Sequence, residues 1–251
     1  MKIGILAAGS NEADLLAQFG SFAQMTETML AGAGFDFQTW DVRLGAFPDS
    51  AAQCDGWIIT GSPASVYQPL TWIAPLEQLI REVDGLKRPL VGICFGHQII
   101  ARALGGSVVK SDLGWGLGID SYTPVGSGES LLRCNSIPLH VIHQDQVAVL
   151  PERAERLAGS AFCPNGVLRY DDHIFTVQAH PEFSLEYMQA LLASIAPEHI
   201  SYRDAGNAMH SLRTQQAGAA AIIDQVVAVL RGAQSHRGSV GAGAQILPSA
   251  F

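Results

Sequence analysis

Hydrophobic residues along this chain fall into short runs separated by turn residues. Lys2 to Ala7 is a short apolar run and reads as a strand. Leu15, Leu16, Phe19, Phe22 and Met29 then make one apolar face, capped by Asn11 or Ser10 and stopped by Gly32 and Gly34. That pattern predicts a helix running to about Leu30. Phe35 to Val42 reads as a second strand, so the chain opens with a β-α-β unit, the signature of a parallel sheet. Trp57 to Thr60 is a third buried strand. Thr71 to Leu86 is an amphipathic helix with Ile73, Leu76, Leu79, Ile80 and Val83 turned inward. Leu90, Val91 and Ile93 suit a central parallel strand. Ile99, Ile100, Ala103 and Leu104 carry the next helix, and Gly105-Gly106 ends it.

The pattern then changes. Val108-Val109, Gly116 to Val125, Leu131 to Arg133, Leu139 to Ile142, Val147 to Leu150, Glu155 to Ser160 and Gly166 to Tyr170 are short segments of β character. They predict an antiparallel meander appended to the parallel core. Ile174 to Val177 is one more buried strand. Ala208 to Gly232 reads as a single helix, able either to pack on the core or to make a homodimer. The Gly/Ser/Ala-rich tail from about Ser235 is expected to be flexible. The boundaries this implies are a main domain over 1–200, a helical extension over 201–232 and a tail over 233–251.

Composition narrows the function classes. The 251 residues are 48% hydrophobic and 15% charged, with a net charge of -8. An acidic chain without a basic cluster argues against nucleic acid as a partner. No apolar run reaches transmembrane length, so no membrane role is expected, and the start MKIGILAAG reads as a strand rather than a signal peptide. Cys54, Cys94, Cys134 and Cys163 are scattered and form no CxxC pair, which points to neither a zinc site nor a disulfide framework. Reduced thiols fit a cytoplasmic location.

Two stretches carry chemistry. The first is the junction at Gly92-Ile93-Cys94-Phe95-Gly96, where a buried strand turns directly into a helix with a cysteine at the corner. Glycines two residues to either side remove side chains that would collide, the pattern of a nucleophile elbow with Cys in place of Ser. The helix N-terminus behind the sulfur favours thiolate over thiol. The Phe95 amide is a first-turn donor free to hold an oxyanion. The other reading is a small buried core cysteine flanked by packing glycines. The second stretch is His180-Pro181-Glu182, at the end of the strand from Ile174. Pro181 stops the strand, and Glu182 lies two residues from His180 on the same side of an extended segment, where its carboxylate can orient the imidazole. Gly61-Ser62-Pro63 follows the third strand. Gly61 there allows positive φ and close ligand approach, and the Ser62 amide can point into a site; a plain β-turn is the alternative. His97 reads as packing and His173 as solvated. Gly114-Trp115-Gly116-Leu117-Gly118 lacks the strand and helix of a phosphate loop and is rejected as one.

Gly92, Cys94, Gly96 and Gln98 match G-x-C-x-G-x-Q, and His180-Pro181-Glu182 follows in the order of a Cys-His-Glu triad. On these motifs the sequence resembles the class I glutamine amidotransferases over roughly residues 1 to 195. The wording GICFGHQ, with His143-Gln144-Asp145-Gln146-Val147, is most similar to two stand-alone branches, the GMP-synthase-like amidotransferases and the plant γ-glutamyl peptidases. The resemblance implies a three-layer, flavodoxin-like α/β fold. It implies Cys94 as nucleophile, His180 as base and acid, Glu182 as its orienter, and the amides of Ser62 and Phe95 as the oxyanion hole. Gly61, Gln98 and Asp145 would contact a small-molecule glutamine or γ-glutamyl substrate, with Asp145 on its ammonium. No cofactor and no metal is implied. No SGGxDS loop is present, and the residues after 195 leave no room for a synthetase. An ammonia acceptor is therefore expected on a separate synthetase partner, or not at all. A non-enzymatic, redox-sensing protein of related fold is the third reading, disfavoured by His180-Pro181-Glu182.

Overall fold

The computed structural model describes residues 1–232. The tail expected over 233–251 lies outside the described residues. Among the described residues there are eleven strands and eight α-helices, which follow the order the hydrophobic pattern implies over the first hundred residues. β1 (Lys2–Ala7), β2 (Asp36–Asp41), β3 (Gly56–Ile59), β4 (Leu90–Ile93) and β11 (Ile174–Val177) form the parallel part of a nine-stranded sheet, in the order β2-β1-β3-β4-β11. The order reverses beside β1, as in a doubly wound sheet.

The rest of that sheet is antiparallel and begins at β11. β10 (Val167–Tyr170) pairs with β11, followed outward by β9 (Ala154–Gly159), β6 (Gly116–Pro124) and β7 (Ile137–His143). The meander is thus a continuation of the parallel sheet. β5 (Ser107–Lys110) and β8 (Asp145–Val149) pair separately as a two-stranded antiparallel ribbon.

Strand side chains alternate between two cores. Ile3, Ile5, Ile58, Val91, Ile93, Phe175 and Val177 face one side, which α2 (Phe22–Met29) and α8 (Ala220–Leu230) cover. Leu6, Trp57, Ile59, Leu90 and Ile174 face the other, covered by α3 (Ile73–Gly85) and α4 (Phe95–Ala103). This is the helix-sheet-helix sandwich that strands buried on both faces demand. A third apolar cluster joins α1 (Ala13–Phe19), α6 (Leu185–Ile195) and α7 (Tyr202–Thr214) beside the antiparallel half. Among the described residues no helix is long and apolar enough to cross a membrane.

Four local expectations are corrected. The helix expected to about Leu30 is two helices broken at Gly20-Ser21. Ser21 caps α2 with a capping box to Gln24, a stronger local signal than the continuing apolar face. Asn11 does not cap α1. Its Nδ2 donates to the Gly20 carbonyl at 2.6 Å and its Oδ1 accepts from the Tyr187 hydroxyl at 2.6 Å, so it ties the break in the helix to α6. The β segment expected at Leu131 to Arg133 is the end of α5 (Ser127–Leu132), a short helix that turns Leu132 into the core. The helix expected over 208–232 is α7 and α8 with a linker between them, held where the Gly218 N–H donates to the Pro138 carbonyl at 2.8 Å.

Of its two expected placements, the C-terminal helix takes the core. Ile222, Val226, Val229 and Leu230 of α8 are buried in the same cluster as β1, β3, β4 and β11. We expect Leu230→Ala to cost about 2–5 kcal/mol in urea unfolding. A change of a few tenths would show that α8 lies outside the cooperative unit.

Candidate active site

The site is built at the carboxyl ends of β3, β4 and β11. β4 ends at Ile93, and Cys94 takes φ +50°, ψ -101° before α4 starts at Phe95. A non-glycine residue at that φ is uncommon and costs about 1–3 kcal/mol. Its neighbours hold it there. The Cys94 N–H donates to the Val177 carbonyl of β11 at 2.9 Å, and the Cys94 carbonyl accepts from the Gln98 N–H at 3.1 Å. The flanking glycines are required by contact. A Cβ at Gly92 would stand 2.6 Å from the Gly96 backbone, and one at Gly96 would stand 2.3 Å from the Ile59 carbonyl oxygen. The helix therefore packs backbone to backbone against the strands, and the corner is forced.

β11 runs parallel to β4, pairing Val177 with Ile93, so residues just beyond the two strand ends lie side by side. That register brings His180 beside Cys94, and the two side chains line the same cavity. On the other side of the ring, His180 Nδ1 lies 2.8 Å from Glu182 Oε1, with both side chains nearly inaccessible. The ring of Phe183 stacks on the imidazole at 4.0 Å between centroids and 6° between planes. Tyr187 packs edge-on against Phe183 at 4.4 Å. The imidazole is thus fixed by a carboxylate at its edge and an aromatic ring on its face.

Electrostatics single out His180 among the buried histidines. Burial pulls its pKa down, but the Glu182 charge, Cys94 and the hydrogen bonds to both outweigh that, so it is pushed up to about 10. The others lack such a partner. Burial pushes His97 down to about 3 and His143 down to about 4, and it lowers His140 as well. His180 is thus the buried histidine whose charged form its surroundings favour, and it sits beside the cysteine.

A cavity of about 580 Å³ opens over Cys94 and His180. Of the expected site residues, Ser62, Cys94, Gln98, Asp145 and His180 line it. Gly61 lies under it, but the reason for glycine is corrected. Gly61 is not among the residues with positive φ; a Cβ there would stand 3.0 Å from His180 Cε1 and 3.8 Å from Cys94 Cβ. The glycine makes room for the side chains of His180 and Cys94. Phe95 is buried against Trp72, and its backbone N–H is in the first turn of α4, where helices leave donors unpaired. Asp145 follows the one-residue turn between β7 and β8, and its Oδ1 accepts from the Tyr67 hydroxyl at 2.8 Å. Gln98 points its amide to the Asp145 carbonyl at 2.9 Å and to Gln178 at 3.0 Å.

His97 is fully buried in α4, with Nδ1 2.8 Å from Thr176 Oγ1, as a packing residue would be. His173 is corrected: it is not solvated. Its Nε2 lies 2.9 Å from Asp84 Oδ1, in a network that also holds Arg153, Lys87 and Asp171. Phe183, Tyr67 and Gln178 were missed by the sequence reading. Only Gln178 had a legible signal: it lies two residues before His180, beside the strand that delivers it.

The sandwich with an elbow cysteine at the strand ends defines an α/β protein of the thiol-nucleophile type. Its lineage follows from sequence. The family model for glutamine amidotransferase class-I matches residues 15–196. The chain is 35% identical over 167 residues to γ-glutamyl peptidase 3 of Arabidopsis thaliana, covering 62% of this chain and 67% of that one. It is 32% identical over 139 residues to the glutamine-hydrolyzing GMP synthase of Dehalococcoides mccartyi, covering 51% of this chain and 23% of the synthase. The crystal structure of a glutamine amido transferase from Methylobacillus flagellatus superposes with a TM-score of 0.70 at 21% identity, covering 97% of this chain and 98% of that one. The chain belongs to the class I glutamine amidotransferase family.

The site yields a prediction independent of turnover. Glu182→Gln keeps the shape and removes the charge that favours imidazolium, so an NMR titration of the His180 ring should show a lower midpoint than in the parent protein. An unchanged midpoint would mean that the carboxylate does not control the ring.

Proposed function

We propose that this chain hydrolyses the γ-amide bond of glutamine or of a γ-glutamyl compound through a thioester on Cys94. The observation that carries this reading is the placing of Cys94, at a forced corner, beside a His180 held by Glu182 under one open cavity. The His180 imidazolium holds the proton taken from Cys94, leaving a thiolate. The thiolate attacks the γ-carbonyl carbon, and the carbonyl oxygen becomes an oxyanion received by the N–H groups of Ser62 and Phe95. Each such donor is worth about 3–4 kcal/mol in acyl transfer. As the tetrahedral intermediate collapses, His180 gives its proton to the departing amine. Water then attacks the thioester while His180 takes a proton from it. The carbon–sulfur bond breaks, returning the thiolate and imidazolium and releasing the γ-carboxylic acid, which loses its remaining proton to solvent. Glu182 keeps the ring aimed throughout and favours its charged form whenever it holds the proton. Asp145, steadied by Tyr67, pairs with the substrate ammonium, and Gln98 and Gly61 complete that end of the pocket.

The cavity favours a γ-glutamyl compound over free glutamine. Beyond Cys94 it continues along Leu15, Phe22, Trp115, Leu191 and Ile195, an apolar wall from the third cluster. Its volume lies in the range of about 300–1,000 Å³ typical of sites that enclose drug-sized ligands, more than glutamine fills. Similarity to GMP synthases supports a second reading, a glutaminase that delivers ammonia to a separate synthetase. The four free cysteines are consistent with a reducing compartment, and we place the protein in the cytoplasm.

Purified chain separates the readings. Glutamate release from γ-glutamyl peptides without a partner supports the hydrolase. Negligible turnover that a synthetase restores supports the subunit. Cys94→Ser should abolish either activity, and retained activity would overturn the nucleophile assignment. His180→Ala should lose more activity than Glu182→Gln, since the base is indispensable and its orienter only tunes it; equal or reversed losses in kcat/KM would contradict these roles.

A further inference from the structure

Beneath the sulfur, on the side away from the cavity, lies a side chain that the proposed mechanism does not use. Gln178 is the residue after β11, fully buried, with its own N–H donating to the Gly166 carbonyl at 2.8 Å. Its Nε2 approaches Cys94 Sγ at 3.5 Å, hydrogen-bonding distance for sulfur. Its Oε1 accepts from Gln98 Nε2 at 3.0 Å.

The orientation of the two amides is fixed by a chain of necessity. The Asp145 carbonyl can only accept. It takes the Gln98 Nε2–H at 2.9 Å, and His143 Nδ1 lies 3.1 Å from the same oxygen. Gln98 must therefore present its NH₂ on that side. That NH₂ also faces Gln178, so Gln178 must present its oxygen to Gln98. Its own NH₂ is then left for the sulfur. A flipped Gln178 would put a carbonyl oxygen against a thiolate and an NH₂ against an NH₂. Hydrogen bonds to an ionised acceptor are the strong class, and a buried charge without donors is costly.

We propose that Gln178 is a catalytic residue that stabilises the Cys94 thiolate from the protein side, and that Gln98 is the positioning residue that locks its donor toward the sulfur. The role of Gln98 is then the aiming of a second amide rather than substrate contact alone. The thiolate is held between two donors on different sides, His180 from the cavity and Gln178 from the core. As attack consumes the negative charge on sulfur, the Gln178 N–H···S hydrogen bond weakens; as the thioester breaks, that hydrogen bond strengthens again and favours the departing thiolate. This inference rests on Cys94 being the nucleophile.

The test is the pH dependence of Cys94 alkylation by iodoacetamide in the full chain, read by peptide mass spectrometry so that Cys54, Cys134 and Cys163 do not contribute. Gln178→Met keeps the volume and removes the donor. The alkylation midpoint should rise by about one to two pH units. The value of kcat/KM near neutrality should fall at least about tenfold and recover toward the parent at higher pH, with KM little changed. Gln178→Glu retains a polar group of the same length and places a carboxylate by the sulfur; its midpoint should rise further. Gln98→Leu should give a smaller shift in the same direction. Midpoints unmoved in Gln178→Met and Gln178→Glu, with losses of activity equal at every pH, would overturn the proposal and leave Gln178 as packing. If Gln178→Met does not fold by circular dichroism, Gln178→Glu and Gln98→Leu decide. Alkylation does not need turnover, so its outcome is separate from that of Cys94→Ser, which tests the nucleophile itself.

Discussion

Everything in the site follows from the close approach of α4 to the sheet. The Gly96 backbone lies against the Ile59 carbonyl, and the Gly92 backbone lies against Gly96. With no side chain between them, the chain has no length in which to unwind from β4 before α4 begins. Cys94 takes up the whole change of direction in one residue, at φ +50°. The strain is held by hydrogen bonds on both sides of the corner and by the buried strands around it. A looser junction would let the cysteine relax into an ordinary conformation, and its sulfur would leave the reach of His180.

The second half of the site depends on strand register. β11 pairs with β4 in parallel, so the residues after Val177 and those after Ile93 emerge together. His180 needs no long loop to reach Cys94. Glu182 and Phe183 then arrive within the same turn, one at the edge of the imidazole and one on its face. The polar groups below the site are arranged with equal economy. Gln98 leaves α4, Gln178 leaves β11, and the two meet beneath the sulfur that lies between those elements.

Much of this was legible in the sequence because it rests on short-range signals. Alternating apolar strands, the glycine pair around Cys94 and the proline after His180 each impose local geometry. The expected Cys94, His180 and Glu182 do converge, and Ser62, Gln98 and Asp145 do line the same cavity. What could not be read depends on contacts between distant segments. Ser21 breaks a helix because its capping box outweighs a continuing apolar face. Leu131 and Leu132 resemble a strand until the core shows which of them is buried. His173 looks solvated until α3 brings Asp84 to it. Gly61 suggested a positive φ, whereas its missing side chain serves the space between two residues from other strands. Phe183 and Tyr67 carry no motif; only the folded chain gives them their roles.

The position of β11 has a consequence for biosynthesis. The strand that leads to His180 inserts between β4 and β10, in the middle of the sheet, although it is the last strand in chain order among the described residues. Pairing of such distant segments is slow and comes late in assembly. While the chain is being made, the first four strands can collapse with Cys94 in place but without His180 beside it. The two sides of the cavity, Cys94 and His180, therefore meet only after the segment carrying β11 has been translated and docked, in one step with the closure of the sheet.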